Sequence, residues 1–168
     1  MGFEGARLRS VNLIEELLGI VEGLERGGVE YAVCGGIAVA IHGHPRFTKD
    51  IDLLVQRTDL ERIRRIARQR GFDLEGLPMQ FGTGGENERE IHRLTKAMGP
   101  DTLTLDLLLV GPALAASWQT RQRADWRGRE LWVVSREGLL RMKRISGRVQ
   151  DIADIQALDR PEEEGTDA

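Results

Sequence analysis

The sequence predicts a mixed α/β or α+β fold, a mixed β-sheet that carries a cluster of acids and is packed by helices, in one domain over residues 1–160. Three observations lead there. Apolar runs of strand length, above all TKDIDLLV (48–55) and TLTLDLLLV (102–110), are bounded by turn residues. Segments with apolar residues at helical spacing lie between and after them. Strand and helix signals alternate early and helices gather at the C-terminal end, the pattern of a sheet with helices packed around it.

Taken in order, Leu13, Ile14, Leu17, Leu18, Val21 and Leu24 predict an amphipathic helix over 11–24, opened by a capping box of Asn12 and Glu15 and ended by the glycines after Arg26. VEYAVCGG (29–36) reads as a buried strand stopping at Gly35 and Gly36, and IAVAIHGH (37–44) as a short helix closed by Gly43 and Pro45. The strand TKDIDLLV follows. A second capping box, Thr58 with Glu61, opens a helix over 59–70 whose Leu60, Ile63, Ile66 and Ala67 form one face and whose arginines form the other. Between Phe72 and Gly99 the pieces are short, and MQFG (79–82) and REIHRLTKA (89–97) read as edge strands. TLTLDLLLV is a strand broken by Gly111 and Pro112; ALAASWQTRQR (113–123) reads as a helix, DWRGRE as a turn and LWVVS as a strand. Ser135 caps a helix over 136–146 that ends at Gly147, and QDIADIQAL (150–158) forms a last helix before the acidic tail PEEEGTDA (161–168), which is expected to be disordered.

With 40% apolar and 30% charged residues and a formal net charge of -3, the 168-residue chain has no global basic field to attract nucleic acid or membrane. A lone Cys34 excludes an intrachain disulfide framework and a cysteine-based zinc site. No long apolar run and no secretory signal are found, so a cytoplasmic location without a membrane partner is expected. Of the 24 basic residues only Lys49, Lys96 and Lys143 are lysine, which directs attention to what each lysine does that arginine would not.

Asp50 and Asp52 lie two apart in a strand, so both carboxylates point to one face, roughly 6.5 Å apart at Cβ. The plain reading is a solvated strand face. Asp106, an acid inside TLTLDLLLV, argues otherwise: if the two strands pair, three carboxylates meet. At ~5 Å each ionised pair repels by about 3 kcal/mol at an effective dielectric near 20. A hard divalent cation such as Mg²⁺ relieves that repulsion, and phosphoryl or nucleotidyl transfer is the chemistry that uses it. Gly35 and Gly36, just ahead of a helix, let backbone N–H groups approach phosphates. Lys143 offers a compact ammonium, while Arg141, Arg144 and Arg148 also fit a solvated face. Asp151 fits either a helix cap or the site.

The order Gly-Gly, short helix, RFTKDIDLLV, a later strand acid and the closing MKRISGRVQDIADIQAL resembles the nucleotidyltransferase superfamily of the DNA-polymerase-β type. Within it the chain is most similar to small bacterial proteins grouped with abortive-infection and toxin–antitoxin nucleotidyltransferases. The resemblance implies a catalytic, metal-binding triad of Asp50, Asp52 and Asp106, with Asp106 also helping to deprotonate the acceptor hydroxyl. It implies that Gly35 and Gly36 cradle the triphosphate and that Lys143 and Asp151 match the closing motif, Lys143 near the phosphates. Arg46 and Thr48 would contact the nucleotide or brace the strand. Mg²⁺ or Mn²⁺ would be the cofactor and an NTP the donor, with the acceptor left open among RNA, protein and small molecule, and a protein partner allowed. The superfamily more often has Gly-Ser where this chain has Gly-Gly. Two other classes compete: a catalytically silent nucleotide- or partner-binding module, and a structural domain with a solvated acidic face. His42 and His44 read as loop residues, His92 as a surface histidine, the tryptophans as packing residues and the arginines over 62–70 as a solvated face.

Overall fold

The computed structural model describes the backbone of residues 2–160 and the side chains of residues 13–160; the acidic tail lies outside the described residues. Helix α1 (Gly2–Arg26) begins well before Asn12, so the expected capping box falls in mid-helix, no proline having stopped the helix upstream. Strand β1 (Ala32–Cys34) is shorter than the apolar run that encodes it, because helix α2 (Gly35–Ile41) starts at the glycine pair itself. Strand β2 (Asp50–Val55) then carries the two acids. A 3₁₀ turn (Arg57–Asp59) takes the place of the second capping box, and helix α3 (Leu60–Gln69) follows without a side-chain cap.

Four strands come next: β3 (Phe72–Glu75), β4 (Met79–Phe81), β5 (Arg89–Met98) and β6 (Asp101–Leu109). The expectation that 89–97 is an edge strand is corrected. β5 is interior, flanked by β6 on one side and by β3 and β4 on the other, which is why its residues 92 and 94 are buried. A second correction concerns 113–123. Helix α4 covers only Ala115–Gln119, and Gln122–Trp126 is strand β7, paired with β8 (Arg129–Val133) around Arg127-Gly128. A two-residue turn favours the hairpin, since Arg127 and Gly128 both hold positive φ. Helices α5 (Arg136–Ser146) and α6 (Val149–Leu158) complete the chain. Ser135 Oγ accepts from Gly138 N at 3.1 Å, and Gly147 closes α5 at φ +63°, both as the sequence predicts.

The strands form one mixed sheet in the order β3-β5-β6-β2-β1-β8-β7, with β4 also on β5. β2 runs parallel to β6 and β1 to β8; the other pairs are antiparallel. Alternation along β2 sends Ile51 and Leu53 into the core and Asp50 and Asp52 to the opposite face. The same rule sends Lys96 of β5 away from that face, and it meets Glu16 of α1 at 2.6 Å. Helix α1 therefore covers one face, and the acids look out of the other, toward α5 and α6.

Candidate active site

The site grows from the register of four strands. Cys34 of β1 lies opposite Asp52, Asp52 opposite Asp106, and Asp106 opposite Arg93 of β5, so all four side chains share one face of the sheet. Neighbouring strands are about 4.8 Å apart, so Asp52 stands directly beside Asp106 and one strand step from Asp50. Burial first, then the charges of Asp106 and Asp50, push the Asp52 carboxyl up to about 7. Burial and the Asp106 charge raise Asp50 as well, opposed by Arg93, Arg148 and Lys49. Burial, with Asp52 adding to it, raises the Cys34 thiol well above its usual range, which keeps it a neutral core group.

The two glycines are shaped by these neighbours. Gly35 sits at φ +64°, and a Cβ there would lie 2.0 Å from Asp52 Oδ2, so any side chain would collide with the central carboxylate. A Cβ on Gly36 would lie 2.9 Å from Thr48 Oγ1 and 3.1 Å from Arg46 Nη2. The loop before β2 thus packs into the space a serine would claim, which is a physical reason for Gly-Gly in this chain.

Arg46 and Lys143 are both occupied. Arg46 donates from Nε and Nη2 to the two oxygens of Asp154 at 2.8 and 2.9 Å. Lys143 is buried, with Nζ 3.0 Å from Asp154 Oδ2 and 3.3 Å from Asp151 Oδ1. Asp151 in turn accepts from Arg148 N at 3.0 Å, capping α6, and from Arg148 Nε at 3.1 Å. Burial works to raise Asp151 and Asp154, but hydrogen bonds from Arg148 and Ser146 to the first, and from Arg46 and Lys143 to the second, outweigh it and hold both below the usual carboxylate range. An alternating chain of charge, Arg46–Asp154–Lys143–Asp151–Arg148, therefore ties the loop before β2 to α5 and α6. Thr48 Oγ1 lies 3.5 Å from the Asp50 carbonyl and braces the entry to β2.

A cleft of about 190 Å³ lies over the acids, with Asp52 and Asp106 on its floor and Arg89, Lys143, Arg148 and Phe81 on its walls. Arg89, over the Phe81 ring at 5.2 Å, forms no ion pair among the described residues. Burial and the Arg148 charge lower its proton affinity. A second cavity of about 740 Å³ opens at the start of β2, lined by Pro45, Phe47, Thr48, Lys49, Met98 and Trp126 among others.

Could these acids hold a hard cation? Among the described residues no three acids stand as a ready ligand set, and Asp106 accepts from Arg93 at both oxygens, at 2.8 and 2.9 Å. Asp50 and Asp52 show no ion pair among the described residues, and the proton affinity of both is raised. Two carboxylates without ion pairs beside a third are an all-oxygen donor set that suits Mg²⁺ or Mn²⁺.

Sequence reasoning missed Arg93, Arg148, Arg89 and Asp154. Asp154 was within reach, standing in the closing motif three residues after Asp151; the arginines gave no signal in a chain where arginine is ordinary. His92 is corrected from a surface histidine. It is buried on the far face of β5, between Glu90 Oε1 at 2.9 Å and Arg64 at 3.1 Å. His42 Nε2 meets the Val134 carbonyl at 2.8 Å, a structural tie. Arg62, Arg64 and Arg68 of α3 and Arg70 just after it form ion pairs with Asp59, Glu61, Glu75 and Glu16, while Arg65 stays on the solvated face.

No family model and no curated protein matches the chain by sequence. Solved structures do match. LnuA, a lincosamide antibiotic adenylyltransferase with lincomycin bound, superposes with a TM-score of 0.60 at 16% identity, over 86% of this chain and 94% of its own. A Thermotoga maritima protein with a provisional nucleotidyltransferase assignment gives 0.59 at 16%, over 85% and 89%. ANT(2″)-Ia, solved with adenylyl-2″-tobramycin, gives 0.57 at 12%, over 88% and 87%. Agreement of this extent at so low an identity is agreement of architecture, and the chain has the nucleotidyltransferase fold.

Proposed function

We propose that this protein is a nucleotidyltransferase that moves a nucleoside monophosphate from an NTP to an acceptor hydroxyl and releases pyrophosphate. The observation that carries the reading is Asp52, set beside Asp50 and Asp106 with its proton affinity raised to about 7 and packed so closely on Gly35 that a Cβ there would lie 2.0 Å from its Oδ2. In the reaction the acceptor oxygen bonds to the α-phosphorus, the bond from that phosphorus to the β-phosphate bridge breaks, and the hydroxyl proton passes to Asp106 or to water. Mg²⁺ or Mn²⁺, held by Asp50, Asp52 and Asp106, would neutralise the phosphates and lower the acceptor's proton affinity. Gly35 and Gly36 allow close backbone approach, Arg89 and Arg148 supply positive charge at the cleft wall, and Lys143 with Asp151 sets the wall's position.

For the acceptor, a small hydroxylated molecule is the reading we favour over RNA or protein. The solved relatives whose names state an acceptor act on antibiotics. A silent nucleotide-binding module, of the kind found in toxin–antitoxin-like pairs, is the second reading; Arg93 closed on Asp106 and Lys143 closed between two acids favour it. Incubation with each of the four α-labelled NTPs, Mg²⁺ and separate pools of small hydroxylated compounds, RNA and protein decides between them. Label in the small-molecule pool is expected. NTP binding without label in any pool would leave the silent module.

A further inference from the structure

Arg93 is in direct contact with the acid cluster yet has no part in the reaction proposed for it. It stands opposite Asp106 in the β5–β6 ladder, and its Nε and Nη2 each donate to one carboxylate oxygen, at 2.8 and 2.9 Å. Such a two-pronged bond takes up the oxygens that a cation would need. The arrangement is asymmetric: Asp106 is 10% exposed at its side chain and Arg93 is 47% exposed. The acid is held in the floor of the cleft, while the guanidinium that grips it is half exposed to solvent. Arg93 also feels Asp50 and Asp52, so one positive charge serves three carboxylates. The other cations near the acids are committed or set back: Lys143 to Asp151 and Asp154, Arg148 to Asp151, and Arg89 to the wall.

We propose that Arg93 is an internal counter-ion that stands in for the divalent cation: in the free protein it holds Asp106, and when a divalent cation binds it releases that carboxylate and turns to the phosphates of the incoming NTP. The inference rests on the nucleotidyltransferase reading. Physical reasoning favours exchange over a permanent bond. A doubly charged ion attracts a carboxylate more strongly than a guanidinium does at equal distance. The exposed side of the pair is the arginine, whose ordering is cheap to give up, since ion pairs with an exposed partner add little stability. Once released, Arg93 lies on the same face as the acids, and its planar fork suits phosphate oxygens.

The test separates a counter-ion from a positioning residue, because the two demand opposite signs. Mn²⁺ alone is titrated into wild type, Arg93→Gln and Asp52→Asn by electron paramagnetic resonance, and tripolyphosphate is then titrated in saturating Mn²⁺. Release of a competitor should make Arg93→Gln bind Mn²⁺ about tenfold more tightly and tripolyphosphate several-fold more weakly. Arg93→Lys, which keeps the charge but cannot grip both oxygens, should fall between and replaces Arg93→Gln if the latter fails to fold. Unchanged or weaker Mn²⁺ binding in both Arg93 variants, with binding in wild type lost in Asp52→Asn, overturns the counter-ion while leaving the nucleotidyltransferase reading intact. Failure of wild type itself to bind Mn²⁺ overturns both.

Discussion

Asp52 concentrates the chemistry of the site in one carboxyl. Its folded-state proton affinity lies above the ordinary carboxylate value of 3.8 because burial and two like charges oppose ionisation. Its neutral form is the one the fold favours, so its effect on stability is absent below pH about 4. From there to about 7 the folded state increasingly loses out, as the unfolded chain ionises freely and the folded one does not. Asp52→Asn should therefore raise the melting temperature of the metal-free protein at pH 8, with the gain shrinking below pH 7 and gone near pH 4. The same substitution should abolish transfer. A lower melting temperature at every pH, read by calorimetry, would mean that Asp52 is a structural acid. That two acids share a face was legible from their spacing alone. That Asp106 joins them followed from strand pairing. The grip of Arg93 on Asp106 was not legible, because alternation in REIHRLTKA says which residues share a face and nothing about which faces meet.

At the scale of the element, the last two helices are a charge-locked pair. The sequence suggested a lysine presented to phosphates. In the structure Lys143 lines the cleft and is enclosed between Asp151 and Asp154, with Arg148 and Arg46 completing the chain. Removing one partner of a buried ion pair leaves charge uncompensated, a loss of about 3 kcal/mol or more. Lys143→Ala should therefore lower stability by that order even without nucleotide, whereas Arg144→Ala, which loses only an exposed pair with Asp159, should change it by about 1 kcal/mol or less. Denaturant unfolding of the two variants measures both. Equal small losses would show that the enclosure of Lys143 carries no energy. Elements with strong apolar periodicity, such as β2, β6 and α5, were legible in the sequence. β7 was not, because Gln122, Arg123 and Asp125 are polar at an exposed sheet edge and follow directly on a helical segment. β5 was misplaced to an edge because β3 and β4, which cover its outer side, come from short segments whose pairing only the fold reveals.

For the whole molecule, the mixed sheet sets the function that the site can have. β2 and β6 run parallel near its middle, which brings acids 54 residues apart in sequence side by side in register. Helix α1 seals the opposite face, and α5 and α6 wall the cleft. Solved nucleotidyltransferase structures share this architecture at 12–16% identity. The acceptor is the part that the sequence left open. The central claim is that the acids on β2 and β6 bind a nucleoside triphosphate through a divalent cation. Isothermal titration of each NTP, with Mg²⁺ and with a chelator in its place, into wild type and an Asp50→Asn, Asp52→Asn double variant tests it directly. Binding heat with Mg²⁺ in wild type alone, lost with the chelator and lost in the double variant, is the expected result. Equal heat in the double variant, or no heat from any NTP in wild type, would contradict it.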